Sequence, residues 1–501
     1  MSWSRIATTV VAVVLLAAAP VCAQSVLRIG MNDDPDALDP TISRAYAGRL
    51  VFAALCDKLF DVTPDLKIVP QLATGYEWAR DSKSVTIKLR PGVKFHDGEP
   101  FNAEAVRFNI ERHLNTPGSF RKTEIADVKS VDVVNDLTVR LNLSQPLVPL
   151  LATMTDRAGM MVSPKAAKDL GDKLGTRPVC AGPYKFVERV AQGRIVLERF
   201  ADYWDKGNIH IDRVEFVPIT DSTARLASLR SGDLHMIERV SPTDLGQIRS
   251  DRRLALTSVP ELGYQMIPFN VANGAKSKTL ADVRVRQAID LAIDRETLVK
   301  TVFNNEYIAG NQWVNPSNPY YNAKLPVQKR DVARARQLLR EAGQSNLAFT
   351  LIVPPERDRQ EAALIIQAML AEAGITMTIQ SQENVTMLQA GRRGDFEAYF
   401  TFWSGRPDPD GNVFSHYSCN GAQNDGKWCN ADFDTLVTNA RHVADPAERK
   451  KLYDQATEIL LRDVPRLHLW HRRVYTGMST KVQGFTPHPD GIIRVRGMKL
   501  N

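Results

Sequence analysis

Strands and helices alternate in the second half of the chain, and this alternation constrains the fold more than any other feature of the sequence. Phe349–Val353 is predicted to be a strand, Arg359–Ala373 a helix that ends at Gly374, and Ile375–Gln380 a second strand. The apolar residues of the helix repeat with helical spacing, so one face is expected to pack on a sheet. Such a unit joins two parallel strands through a crossover helix. The sequence therefore predicts an α/β fold.

Further strands and helices are predicted on both sides of this unit. The predicted strands are Val26–Met31, Ser84–Leu89, Leu137–Leu143, Tyr184–Val190, Arg194–Phe200, Val214–Ile219 and Glu397–Trp403, and the predicted helices are Ala45–Phe60, Phe101–Leu114, Ser222–Ser231, Val283–Phe303, Asp331–Ala342 and Asp445–Arg462. Ser84–Leu89 and Leu137–Leu143 alternate polar and apolar residues, as half-buried strands do. With the helix between them they indicate an α+β block early in the chain.

Composition excludes several classes of protein. The 501 residues are 44% hydrophobic and 24% charged, which is ordinary for a globular protein and not for a disordered one. Beyond residue 25 no apolar run approaches the ~20 residues of a membrane-spanning helix. The net charge of +7 is spread evenly, without a basic cluster that would indicate a nucleic-acid partner.

Residues 1–23 are typical of a secretory signal peptide. Arg5 precedes a short apolar stretch that Pro20 interrupts, and cleavage is expected after Ala23. A membrane anchor and a lipoprotein acylated at Cys22 are the alternatives. We therefore predict export to the periplasm.

Four cysteines remain after such cleavage, an even number that suits an oxidising compartment. Four cysteines allow three pairings. Cys419 and Cys429 flank a polar segment that a disulfide would close, and Cys56–Cys180 then follows by elimination. Two buried free thiols at Cys56 and Cys180 are the alternative.

Motifs for catalysis or cofactors are missing from the sequence. It contains no GxSxG, no Walker loop, no GxGxxG and no HExxH. We therefore predict neither an enzyme nor a cofactor.

One long segment resembles a known family. The segment is QLATGYEWARDSKSVTIKLRPGVKFHDGEPFNAEAVRFNIER, residues Gln71–Arg112. It is similar to the family 5 extracellular solute-binding proteins, the peptide-binding receptors of ABC importers. Further matches follow in family order at Leu55–Phe60, Val179–Val187, Phe200–Trp204, Val283–Val299 and Phe402–Ser415, and the Cys419/Cys429 pair also fits.

The resemblance implies a bilobed periplasmic-binding-protein clamshell with an additional inserted α+β domain, three domains in all. Lobe I would comprise residues 24–45, 178–262 and 475–501, the inserted domain 46–177, and lobe II 263–474. The chain would cross between the lobes near Glu261–Gly263 and near Arg473–Tyr475. Two adjacent crossings form a hinge about which the lobes can close.

The resemblance also implies ligand-binding residues. In dipeptide-binding relatives an aspartate in a loop after a Trp receives the terminal ammonium, and Asp408 matches it best; the alternative is that Asp408 caps a turn. Arg357 matches the position that binds the ligand carboxylate, and a solvated surface arginine is the alternative. Trp403 would form an apolar wall, unless it belongs to the core. Tyr264 or Asn270 would line lobe II.

Arg406 departs from the dipeptide pattern. A cation beside the ligand ammonium would repel it, unless Arg406 pairs with Asp410 or contacts an acidic ligand. This admits acidic or modified peptides, glutathione-like molecules, opines or oligosaccharides.

The sequence thus predicts a periplasmic, monomeric receptor that captures a peptide-like solute and docks on an inner-membrane ABC permease. A nickel or haem receptor is an alternative within the family, with His416 as the metal candidate. A secreted hydrolase is the alternative from another class.

Overall fold

A computed structural model describes residues 24–272 and 278–501. The predicted export segment and Cys22 lie outside the described residues. Within the described ranges, no helix combines the length and apolar character needed to cross a bilayer.

The helices and strands of the first half of the chain run from β1 to β12. In chain order they are β1 Val26–Met31, α1 Tyr46–Leu55, β2 Phe60–Val62, β3 Ile68–Pro70, β4 Ala73–Trp78, β5 Ser84–Leu89, α2 Ala103–Asn115, β6 Val128–Asn135, β7 Thr138–Leu143, α3 Leu150–Thr153, α4 Pro164–Leu170, β8 Tyr184–Val190, β9 Arg194–Arg199, β10 Arg213–Pro218, α5 Ser222–Ser231, β11 Met236–Ile237, α6 Leu245–Ser250 and β12 Leu254–Pro260.

The second half contains the remaining elements. They are β13 Tyr264–Pro268, α7 Val283–Leu291, α8 Arg295–Phe303, β14 Ile308–Ala309, α9 Val332–Glu341, β15 Ala348–Val353, α10 Arg357–Glu372, β16 Thr376–Ser381, α11 Asn384–Arg393, β17 Ala398–Tyr399, β18 Thr401–Trp403, α12 Asp410–Tyr417, α13 Ala431–His442, α14 Pro446–Asp463, β19 Arg466–His471, β20 Arg473–Ser479, β21 Val482–Gln483 and β22 Lys499–Leu500.

Lobe I is built on a seven-stranded sheet in the order β12-β20-β11-β1-β10-β9-β8. The central strand β1 runs parallel to both of its neighbours, and Ile29 lies opposite Phe216 on one side and Met236 on the other. These three side chains are buried together with Leu50 and Phe52 of α1. Helix α1 therefore packs in the core of lobe I.

A four-stranded antiparallel sheet, β4-β5-β7-β6, forms the inserted domain together with α2. Asn102 caps α2 by accepting a hydrogen bond from the backbone N–H of Ala105, as the sequence predicts. The core of this domain comprises residues between Leu59 and Ala181. The domain limits given above stay a prediction, although α1, predicted to lie inside the insert, packs on lobe I.

Lobe II contains the strand–helix–strand unit. Strands β15 and β16 pair in parallel through the crossover helix α10, as predicted. Two predictions here are wrong. The helix predicted over Val283–Phe303 is two helices, because Asp294 accepts a hydrogen bond from the N–H of Thr297 and caps a new helix. The strand predicted over Glu397–Trp403 divides into β17 and β18, which belong to two different sheets.

Two crossings join the lobes, from β12 to β13 and from β19 to β20. The buried carboxylate of Glu261 in the first crossing accepts hydrogen bonds at 2.9 and 3.0 Å from Arg472 in the second. Gly263 lies so close to the loop after β18 that a Cβ atom would lie 1.8 Å from the carbonyl oxygen of Trp403. The Glu261–Arg472 ion pair and the close contact at Gly263 hold the two crossings side by side.

Both predicted disulfides are present. Cys419 bonds to Cys429, ten residues away, and Cys56 bonds to Cys180. The first closes the loop between α12 and α13, and the second joins the end of α1 to the segment before β8.

Candidate functional site

The lobes enclose a cleft that contains two cavities. Cavity A lies between α1 of lobe I and β18 of lobe II. Cavity B lies between the segment after β11 of lobe I and the start of α10 in lobe II. Residues of both lobes line each cavity, so a molecule bound there would contact both lobes.

Cavity B is rich in buried hydrogen-bond donors. Nη1 and Nη2 of Arg359, Nε2 of Gln265 and Nε1 of Trp470 donate no hydrogen bond to any described residue. All three side chains line the cavity, and each residue is at most 3% exposed. A buried donor without an acceptor is costly, so these groups suit an acceptor such as a carboxylate.

Arg359 is held in the first turn of α10. Its Nε lies 3.0 Å from Oε2 of Glu356, which leaves the two terminal nitrogens of the guanidinium for the cavity. The predicted carboxylate partner, Arg357, also lines cavity B but its side chain is 31% exposed. Its guanidinium donates to Ser241 and Thr243 of lobe I. Geometry thus favours Arg359 over Arg357 as the carboxylate site.

Phe402 forms a wall between the two cavities. Its ring lines cavity A, and the guanidiniums of Arg239, Arg359 and Arg472, which line cavity B, lie 4.1–4.9 Å from its centroid. Cations over an aromatic face are attracted by its quadrupole. The ring therefore fixes the positions of these guanidiniums.

Arginines also surround cavity A. Arg44, Arg49, Arg157 and Arg466 line it, and no carboxylate of the described residues does. Arg44 crosses the cleft to Oδ2 of Asp425 at 2.5 Å, and Arg49 donates across it to Oγ of Ser404 at 2.8 Å. These contacts hold the lobes closed on the cavity.

Asp156 is shared by three guanidiniums. Its carboxylate lies 2.7 Å from Nε of Arg406, 2.9 Å from Nη2 of Arg49 and 3.5 Å from Nε of Arg157. Burial alone would raise the pKa of Asp156, but these cations hold it well below its ordinary value. Burial and then the neighbouring Arg49 lower the pKa of Arg406 well below its ordinary value. A single carboxylate thus serves three buried cations.

Asp408, the predicted ammonium partner, lines a third cavity, cavity C. Its two carboxylate oxygens each accept a hydrogen bond of 2.8 Å from Arg449 of α14, and Oδ1 also accepts from the N–H of Asp410. Arg406 lines the same cavity and pairs with Asp156, while Asp410 pairs with Arg441. The loop is therefore held by internal ion pairs.

The other predicted residues fall into two groups. Trp403 lines cavity A, where its ring meets His416, and its Nε1 donates to Oδ1 of Asn412. Tyr264 and Asn270 line none of the three cavities. The hydroxyl of Tyr264 donates to the carbonyl of Asn412, and the amide of Asn270 donates to the carbonyls of Gly394 and Phe396. Their bonding is that of core residues.

Four residues that line cavities A and B are not indicated by the sequence patterns: Arg359, Gln265, Trp470 and Arg466. Each lies on a regular element, and no local motif separates it from the neighbouring core residues. The only signal was proximity: Arg359 is two residues from Arg357, and Arg466 begins the strand that contains Trp470.

Metal binding gains no support from the cleft. In the described part of the chain, no three His, Cys, Asp or Glu side chains are grouped so that they could hold a metal ion. His416, the predicted metal candidate, is buried, and burial lowers its pKa well below the ordinary value.

Comparisons with known proteins agree with this architecture. The family model described as bacterial extracellular solute-binding proteins, family 5 Middle, matches residues 67–425. The glutathione-binding protein GsiB of Pectobacterium atrosepticum is 29% identical over 495 residues, covering 95% of this chain and 94% of that protein.

Two solved structures resemble the whole described fold. The periplasmic binding protein DppA of Helicobacter pylori, in complex with the peptide STSA, superposes with a TM-score of 0.89 at 25% identity, covering 95% of this chain and 98% of that one. The binding protein AgaA of A. tumefaciens R10, in complex with agropinic acid, gives 0.87 at 26% identity, covering 95% and 99%.

Proposed function

The chain belongs to the bacterial extracellular solute-binding proteins of family 5, and we propose that it captures a small peptide-like solute between its lobes and delivers it unaltered to the membrane permease of an ABC importer. The protein acts in the periplasm as a monomer, exported by residues 1–23. The relatives that bind glutathione and peptides support this solute class.

One observation supports the proposal most strongly. Cavity B places the unused donors of Arg359, Gln265 and Trp470 in one buried space between the lobes. In a folded protein such donors are normally satisfied. A carboxylate-bearing solute satisfies them when the lobes close, so its binding stabilises the closed form.

Binding experiments on the mature chain, residues 24–501, test the proposal. The protein is unfolded and refolded to remove any solute carried from the cell, then titrated by calorimetry with di- and tripeptides, their N-acyl derivatives and small organic acids. We expect at least one solute to bind, to raise the melting temperature and to be recovered unchanged. Failure of every solute, or recovery of a chemically altered one, would contradict the proposal.

A further inference from the structure

Cavity A contains more positive than negative charge. Five guanidiniums line it or share its ion pairs: those of Arg49, Arg157, Arg406 and Arg466, which are buried, and that of Arg44, whose side chain is 10% exposed. Within ion-pair distance they meet only two carboxylates of the described residues, Asp425 and Asp156. A buried cation without a counter-charge is strongly unfavourable.

Arg466 has no carboxylate partner among the described residues. It begins β19 and is 4% exposed. Its Nη2 donates to the carbonyls of His416 and Gln423, both at 2.7 Å, and its Nη1 faces Sδ of Met266 and Nδ1 of His416. The guanidinium is thus held rigidly at the wall of cavity A with its charge uncompensated.

His416 adds an unused donor to the same wall. Burial keeps the ring neutral, because it lowers the pKa of His416 well below the ordinary value. Arginine can only donate, so Nδ1, 3.4 Å from Nη1 of Arg466, is the accepting nitrogen and the proton resides on Nε2. Nε2 donates to none of the described residues, although His416 is 2% exposed and lines the cavity.

Among the described residues, cavities A and C have no free carboxylate for a ligand ammonium. Cavity A is lined by no carboxylate of these residues. In cavity C, Asp156, Asp408 and Asp410 each lie within 3.1 Å of an arginine nitrogen, as does Glu124, which pairs with Arg121. A ligand ammonium in cavity A or cavity C would therefore lie close to cations, without an available anion.

We infer that cavity A binds an anionic group of the ligand. The solute then carries an acidic group at each end of the cleft and has no free ammonium in cavity A. The inference rests on the proposed function and narrows its substrate class to diacids of the N-acyl peptide or opine type. One acid group is bound at Arg359 in cavity B, and the other at Arg466 and His416 in cavity A.

Three probes of the same backbone test this inference by calorimetry: Ala-Ala, N-succinyl-Ala-Ala, and the amide of the latter, N-succinamoyl-Ala-Ala. The last two differ only by a carboxylate against a carboxamide. We expect the succinyl acid to bind at least about tenfold more tightly than its amide, and Ala-Ala to bind most weakly.

Substitutions in cavity A test whether the preference for the acid over the amide arises there. In Arg466→Met the preference for the acid over the amide should fall below about threefold, and in His416→Phe it should fall part of the way. Arg462→Gln, which removes an exposed charge on α14, should keep the full preference. The pair of variants guards against failure of one of them to fold.

The outcomes separate this inference from the proposed function. Equal binding of acid and amide, or tightest binding of Ala-Ala, overturns the inference and leaves the receptor function in place. If these three probes fail and only another of the tested peptides, N-acyl peptides or organic acids binds, a second acidic group in that solute supports the inference. A free ammonium in that solute overturns it. If no solute binds at all, both fail.

Discussion

At the scale of single residues, Arg359 and Arg357 show why position alone does not identify a binding residue. They are two residues apart in the first turn of α10, and the resemblance to the family indicates Arg357. The structure buries Arg359 with two free donor nitrogens and leaves Arg357 bonded to hydroxyls of lobe I. Which guanidinium is available depends on contacts across the cleft, which a sequence pattern does not encode.

We expect Arg359→Gln to weaken binding of a carboxylate ligand by about 2–5 kcal/mol, because it removes one partner of a buried charge pair. Arg357→Gln, the matched control in the same turn, should cost less than about 1 kcal/mol. Calorimetric dissociation constants of the two variants decide between them. A larger loss in Arg357→Gln would return the site to the residue predicted from the sequence.

Asp33 should make stability depend on pH. Burial, and then the nearby Glu356, raise the pKa of Asp33 to about 7 from an ordinary value of 3.8. The folded protein thus holds this proton more tightly than the unfolded chain does. The contribution of Asp33 to the free energy of unfolding is fully present below about pH 4 and is lost as the pH rises through about 7. The free energy of unfolding falls by no more than about 1.4 kcal/mol per pH unit over this range.

The variant Asp33→Asn lacks this titration. Relative to the wild type, it should gain about 2–3 kcal/mol in free energy of unfolding between pH 5 and pH 7.5, measured by urea denaturation. The exposed Asp172→Asn serves as the control and should follow the wild type. Parallel pH dependence in Asp33→Asn and the wild type would refute the assignment.

At the scale of elements, local patterns predicted most strands and helices because their signals are local. The central strand β1 and strand β5 match their predicted bounds, since alternation and flanking turns define a strand directly. The errors lie where tertiary contacts decide. Asp294 divides α7 from α8 inside an apolar pattern that continues through both, and Phe400 lies where one extended segment leaves one sheet and enters another.

The disulfide-closed loop between α12 and α13 should couple stability to binding. Cys419–Cys429 closes eleven residues, among them Gln423, which lines cavity A, and Asp425, which pairs with Arg44. Replacing both cysteines by serine should cost about 2–3 kcal/mol of stability through loop-closure entropy. It should also weaken ligand binding, because the loop that holds Arg44 becomes less ordered.

Thermal denaturation and calorimetry of Cys419→Ser/Cys429→Ser measure both effects. The double variant Cys56→Ser/Cys180→Ser removes a disulfide that lies away from cavities A and B, and it should reduce stability while leaving the dissociation constant close to that of the wild type. If the first variant binds ligand as the wild type does, the loop does not organise the cavity.

At the scale of the whole molecule, the lobes are joined by two short crossings and held closed by polar contacts across the cleft. Asn384 of lobe II donates to Asp33 of lobe I at 2.5 Å, and Arg49 of lobe I donates to Ser404 of lobe II at 2.8 Å. The resemblance predicts the clamshell, and the structure agrees. The contacts that set its degree of closure come from residues far apart in sequence, which no local pattern relates.

These two contacts should bias the equilibrium between open and closed lobes. A net hydrogen bond contributes about 1 kcal/mol, so Asn384→Ala/Ser404→Ala should shift that equilibrium roughly 30-fold towards the open form. In small-angle scattering without ligand, the double variant should have a larger radius of gyration than the wild type, and saturating ligand should restore the compact value. As a control, Asn142→Ala removes an amide that donates to Ser130 and Asp132 within the inserted sheet, and this variant should scatter like the wild type. Identical profiles for the double variant and the wild type would mean that other forces, and not these contacts, close the free protein.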